Sequence, residues 1–352
     1  MELAGRAVAV FFVLSGFMMR LITETREMKP RDYWVDRLSR MYSVVLPALL
    51  FTIVVNVIGR LYHPGHLPPE VFAGASPLVL ASFANLTFTS QWLGLNIDTP
   101  VNPVFWTLSY ECSYYLLFGL IIFGRGRRNL IVFALFCLLM GLPIIFLFPV
   151  WLSGCVAHDL YQRLREYRYA WLAYSVCLIA TAVSIIALRG TIHLAVSHLL
   201  DTSGIVWLQG IHRHLVARNL HILQRATPDF YLVGVPTAIL MVWLLLIADR
   251  VQHIVPVRSL RWIRLIAEGT FALYLMHLAI LVLFADFVLY SKSNPLVKGG
   301  VLLLTVCLCI ALSFPMEALK RKLRKSLHGR EHDVMEEVDM PATRPVSSHV
   351  GS

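Results

Sequence analysis

The sequence predicts an all-α, polytopic integral membrane protein: a bundle of about nine transmembrane helices plus one re-entrant or interfacial segment. Three observations lead there. Hydrophobic residues make up 57% of the chain and charged residues only 15%, well below the charged share of a soluble domain. Uncharged apolar runs of near-membrane length recur from one end to the other, so the apolar surface is not confined to a single anchor. The net charge of +10 sits on basic residues clustered between those runs. Membrane orientation puts them there, and a nucleic-acid partner is not implied. The six cysteines (Cys112, Cys137, Cys155, Cys177, Cys307 and Cys309) all lie inside apolar runs. They read as small hydrophobes, with neither a disulfide framework nor a metal-binding spacing.

The elements follow in order. Ala7 to Met19 is an uncharged run that Arg6 and Arg20 lengthen by snorkelling at its ends. Ser15 and Gly16 form a small step within it, suited to close helix packing. The segment from Arg20 to Arg40 is rich in basic residues, a cytoplasmic mark. Arg37 and Arg40 lie three apart, on one face of a helix that then enters the membrane as Met41 to Gly59. They serve either as orientation charge or as an anion clamp, since guanidinium forks suit phosphate. Pro47 predicts a kink. The stretch 71–97 is uncharged but mildly polar, with Asn85, Thr87, Thr89, Ser90 and Gln91. A crossing there would turn every later basic loop outward, so a re-entrant or interfacial segment is expected.

Pro103 to Gly124 is long enough to cross and carries Glu111. A carboxylate inside a span costs about 2.5–3.5 kcal/mol on insertion scales, so it marks either a buried structural carboxyl or a functional group. On a helix it shares a face with Thr107, Tyr114 and Tyr115. The basic turn at 124–128 follows. Leu130 to Ala157 is too long for one crossing, and Pro143 and Pro149 are expected to break it into two short helices. Tyr169 to Leu188 crosses outward, and residues 189–228 form an external segment whose five histidines match no metal spacing. Phe230 to Ala248 crosses back. Gly269 to Tyr290 carries His277 one turn beyond Tyr274, as a packing residue or a base. Gly299 to Met316 is the last crossing, followed by Glu317 and a basic run. Residues 1–325 thus read as one membrane domain and 326–352 as a polar, disordered cytoplasmic tail. Charge bias puts the carboxyl terminus inside and Met1 outside, an odd number of crossings.

Five segments, in this order and spacing, are together specific: FFVLSGF (11–17), RLSR (37–40), FWTLSYECSYY (105–115), TFALYLMH (270–277) and FPMEALKRKL (314–323). Along residues 5–325 the chain resembles the acyltransferase 3 family of integral-membrane O-acyltransferases. The resemblance implies transfer of an acetyl group from cytosolic acetyl-CoA, a substrate and no bound cofactor, to a hydroxyl of a sugar or surface polysaccharide. It implies that Arg37 and Arg40 handle the CoA donor, and that Glu111 and His277 are catalytic. Trp106, Thr107 (where the family usually has serine), Tyr274 and Glu317 would line the acceptor or acyl path, with no metal. Its partners would be the bilayer, an acyl-CoA and an extracytoplasmic carbohydrate. The family also has a helix ahead of FFVLSGF bearing an arginine and a histidine implicated in catalysis. Only Met1 to Gly5 stands there, so the expectation is a chain shortened at its start. The alternative reading is a non-catalytic carrier or partner subunit that keeps the scaffold.

Overall fold

A computed structural model describes residues 3–25, 29–62, 75–97, 99–202, 213–251, 257–287 and 294–328. Its regular structure is helical: α1 (Leu3–Thr25), α2 (Pro30–Tyr62), α3 (Ala75–Leu86), α4 (Trp106–Phe123), α5 (Gly126–Met140), α6 (Leu142–Leu164), α7 (Ala170–Thr202), α8 (Arg213–Val251), α9 (Val257–Phe287) and α10 (Pro295–His328). Six of the described helices are long and apolar enough to cross a membrane. Their outward faces stay apolar: Val176, Ile179, Val183 and Ile186 on α7 are exposed, as are Leu302 and Leu303 on α10. Water would not tolerate so extended an apolar surface, whereas lipid does. The protein is therefore embedded in a membrane.

Helix α3 has 12 residues, about 18 Å at 1.5 Å per residue, too short for a core of about 30 Å. Beyond it the chain turns back through Phe88 and a short 3-10 turn, Trp92–Gly94. Asn85 and Thr87 find partners within this stretch, while the turn at 88–92 bonds to α4. Ser109 Oγ donates to the Phe88 carbonyl (2.7 Å) and accepts from the Gln91 N–H (3.2 Å), and Trp92 Nε1 donates to Ser113 Oγ (3.0 Å). The segment packs against the core through its polar groups and shows Val79, Leu80 and Phe83 outward.

The expected break within 130–157 differs in detail. It falls at Gly141, whose φ of 86° suits a residue without a Cβ. Pro143 sits in the first turn of α6, where its missing N–H costs nothing, while Pro149 lies inside α6 without ending it. The expected external segment also differs, because α7 and α8 extend into it from both sides. At 33 and 39 residues they are about 50 and 58 Å long, longer than a bilayer core. Residues 203–212, with His212, lie outside the described residues. At the other end α10 stays helical through His328. It docks on the start of α2 through Arg324 Nε and Asp36 Oδ1 (2.9 Å) and through Arg31 and the Leu327 carbonyl (3.3 Å). Residues 329–352 of the expected tail lie outside the described residues.

Two groups of helices pack around α4. On one side α1 lies against α6 and α8, with α7 outside α8; on the other α2, α9 and α10 pack together. Helix α4 touches α1, α2, α3, α5 and α6 and bridges the groups. The α1–α6 contact is close because each helix offers a glycine to the other. A Cβ on Gly16 would overlap the Trp151 carbonyl, and one on Gly154 would overlap the Val13 carbonyl. This is the small-residue packing that membrane helices use in place of a hydrophobic drive.

Candidate active site

The polar groups at the centre of the bundle come from α1, α2, α4, α6 and α9. Glu111 is buried in α4. Its Oε1 accepts from Ser15 Oγ on α1 (3.1 Å) and from the Tyr115 hydroxyl, one turn along α4. Ser15 in turn accepts from Trp151 Nε1 on α6 (3.2 Å). Oε2 is buried too and has no hydrogen-bond partner. One carboxylate oxygen is thus held by two hydroxyls while the other keeps its accepting capacity, an uncommon state for a buried polar atom.

Arg37 and Arg40 project from α2 towards this group and lie within electrostatic reach of it. Arg37 is buried, with only 6% of its surface exposed. Its Nη1 donates to the Met19 sulfur on α1 (3.2 Å), its guanidinium lies over the Tyr115 ring (5.8 Å), and its Nε has no partner. Arg40 is half-buried, with its guanidinium over the Phe271 ring of α9 (5.9 Å). Among the described residues neither arginine hydrogen-bonds to a carboxylate. Two guanidiniums held by sulfur and aromatic faces keep N–H groups for an anion.

The α9 residues meet the start of α4. The Tyr274 hydroxyl donates to Thr107 Oγ1 (3.0 Å), and Thr107 donates back to the Val104 carbonyl (3.1 Å). Tyr274 stacks on Phe11 of α1 (5.6 Å) and Trp106 stands edge-on to Tyr110 (5.2 Å). His277 Nδ1 lies 3.0 Å from the Leu273 carbonyl and 2.8 Å from that of Tyr274. Carbonyls only accept, so Nδ1 carries the hydrogen and the lone pair is on Nε2. Tyr274 is the link in this arrangement: its carbonyl accepts a hydrogen bond from His277 Nδ1, its hydroxyl donates to Thr107, and it lies within electrostatic reach of Glu111. Glu111 is four residues, about 6 Å, further along α4 than Thr107. Among the described residues no hydrogen bond or ion pair joins Glu111 to His277.

Glu317 lies on α10. Both of its oxygens accept from Lys320 Nζ on the next turn of α10 (3.2 and 3.0 Å), a surface-type pair. Sequence reasoning missed Ser15 and Trp151 as partners of Glu111, and it missed Asn102. Ser15 was visible only as a small packing residue, and nothing local marks Trp151 as its donor. Asn102 is fully buried. Its Nδ2 donates to the Leu275 carbonyl of α9 (2.7 Å) and to Thr52 Oγ1 of α2 (3.3 Å), which leaves Oδ1 unpartnered. The signal that was available is an asparagine immediately before the PVFW start of a span.

The fold and site therefore define an integral membrane helix bundle with a buried carboxylate, an imidazole and paired guanidiniums around its central helix. The chain matches the family described as "Acyltransferase domain" over residues 3–314, which takes in every helix through most of α10, and it belongs to that family. Comparisons with curated proteins and with solved structures returned no match.

Proposed function

We propose that this membrane acyltransferase takes acetyl groups from cytosolic acetyl-CoA and transfers them to a hydroxyl of an extracytoplasmic carbohydrate. The observation that carries the donor half is Arg37, a buried guanidinium with an unpartnered Nε and no carboxylate bonded to it among the described residues. Burying a cation without an anion is unfavourable, and the phosphates of a CoA ester would supply the charge and the acceptors. Arg40 stands one turn further on, on the same face of α2. Basic residues crowd this end of the helix, which fits a cytosolic side for the donor and for the carboxyl terminus.

For the transfer itself, the acceptor hydroxyl lies by the Thr107–Tyr274 pair and is oriented by Glu111. His277 Nε2 takes its proton, the hydroxyl oxygen attacks the thioester carbonyl, and the tetrahedral intermediate collapses. The C–S bond breaks, an acetyl ester forms, and the CoA thiolate leaves with the proton. Trp106, Phe11 and Tyr274 supply aromatic faces of the kind that sugars stack on.

The test uses purified protein in lipid nanodiscs, reading acetyl-CoA affinity by calorimetry and CoA release with a carbohydrate acceptor. Arg37→Ala and Arg40→Ala should each weaken acetyl-CoA binding at least ~10-fold, and Arg40→Lys should rescue only in part, because a point charge does not replace the planar fork. Unchanged binding in all three variants would reduce the pair to orientation charge and overturn the donor assignment.

A further inference from the structure

Away from that site, three metal-ligating side chains meet where the end of α1 lies against α6. Glu24 comes from the last turn of α1, and His158 and Asp159 are adjacent on α6. His158 Nδ1 is 3.3 Å from Glu24 Oε2 and 3.3 Å from Asp159 Oδ1. All three ligand atoms lie within 4.8 Å of one another.

We infer that Glu24, His158 and Asp159 form a binding site for a first-row divalent transition ion, with Zn²⁺ the best fit. The spacing is the first reason. Ligands about 2.0–2.1 Å from a tetrahedral Zn²⁺ stand about 3.3–3.4 Å apart, the separation of His158 Nδ1 from each carboxylate. The hydrogen-bond inventory is the second. A neutral Nδ1 has a single hydrogen to share between two carboxylates, and Arg20 offsets the charge of Asp159 alone, which leaves Glu24 the carboxylate without a cation in this group. A divalent ion would replace that hydrogen and bind all three atoms at once. The third reason is independent of the three ligands, and lies in the groups behind them. The His158 side chain is fully buried and fixed, with its ring edge-on to Phe17 (5.2 Å). Its other nitrogen, Nε2, lies 3.4 Å from Gln162 Nε2, and turning that amide over would present its oxygen to the Nε2 hydrogen once Nδ1 carries the metal. Arg20 Nε donates to Asp159 Oδ1 (2.6 Å), as groups behind a ligating carboxylate commonly do. One nitrogen and two carboxylate oxygens suit Zn²⁺, Co²⁺ or Mn²⁺ better than Mg²⁺, which prefers an all-oxygen shell. Glu24 and Asp159 are each partly exposed, which leaves an entry path and room for a water as fourth ligand.

The ion would clamp the end of α1 to α6, about one and a half turns from Met19, the residue that holds Arg37. The assignment does not depend on the acetyl-transfer reading.

The experiment loads the purified full chain with Zn²⁺, removes excess by desalting, and counts ions per chain by mass spectrometry; Co²⁺ serves as the optical probe. The expected result is one ion per chain and the visible bands of tetrahedral Co²⁺. Glu24→Gln and Asp159→Asn change partly exposed side chains, so folding should survive, and each should weaken binding at least ~100-fold. Gln162→Leu should weaken it by about 10–100-fold, as loss of an outer-shell partner does. His158→Gln should remove the bands altogether. Fewer than one ion per chain, an octahedral Co²⁺ spectrum, or wild-type affinity in both Glu24→Gln and Asp159→Asn would overturn the site.

Discussion

Ser15, Tyr115 and Trp151 arrive at Glu111 from three helices, and their donors are used in sequence: Trp151 to Ser15, then Ser15 and Tyr115 to Oε1. The network fixes the carboxylate plane and leaves Oε2 open. Glu111→Gln keeps the shape and an accepting Oε1 but removes the ionisable group. It should therefore lower transfer by about 10²-fold or more while moving the melting temperature by only a few degrees, read by CoA release and by thermal unfolding. A large melting shift with transfer retained would make Glu111 a structural carboxyl. At His277 the Nδ1 hydrogen is committed to α9 carbonyls, so the chemistry depends on Nε2. His277→Ala should cost about 10²–10⁴-fold in the acetyl-transfer rate with acetyl-CoA binding unchanged, the signature of a lost base as distinct from a lost donor contact. Tyr274→Phe removes only the hydroxyl that holds Thr107. Its effect should appear in the acceptor KM more than in the rate.

Among elements, the α1–α6 pair is set by backbone contact at Gly16 and Gly154. Ser15 and Trp151 can meet only because those glycines let the helices approach. Gly154→Leu should therefore destabilise by about 1–3 kcal/mol through overpacking. It should lower transfer as well, since it pushes Ser15 away from Glu111; equilibrium unfolding in detergent and CoA release would show the two losses together. The turn between α3 and α4 is the other element with a defined task. Val101 has φ of 66°, an uncommon conformation for a β-branched residue, immediately before Asn102. Asn102 then ties this turn to α2 and α9 through Thr52 and the Leu275 carbonyl. Within the stretch 71–97, read from sequence as re-entrant or interfacial, the turn at 88–92 is the support on which α4 starts.

At the scale of the whole molecule, α4 stands between two helix groups, one holding the partners of Glu111 and the other holding Arg37, Arg40, Tyr274 and His277. Glu111 and the two arginines therefore come together only where the helix groups close on α4. The charge distribution orients this bundle: the basic ends of α2 and α10, joined by Asp36 and Arg324, belong on one side of the membrane. In a background without native cysteines, Thr191→Cys and Ser326→Cys should react with impermeant maleimide from opposite faces of sealed vesicles. Labelling of both from one face would refute this topology.

The membrane class, the helix-rich fold and the family were legible in the sequence, because apolar length and basic loops are local properties that the bilayer itself enforces. Arg37, Arg40, Glu111, Tyr274 and His277 could be singled out there as candidates, since charged or titratable groups stand out in apolar surroundings. The partners of those residues were not legible. Ser15 and Trp151 lie 96 and 40 positions from Glu111 in the chain, and ordinary serines and tryptophans carry no local mark of whom they will meet. Helix ends also escaped the sequence: the continuation of α7 and α8 past the bilayer length, and the break at Gly141 in place of Pro149, depend on what packs against each turn. The pairing of Glu317 with Lys320, three residues on, is of the kind that spacing along one helix makes readable. Spacing along one helix can be read from sequence, while which oxygen of Glu111 is held and which is free was decided only when three helices converged on it.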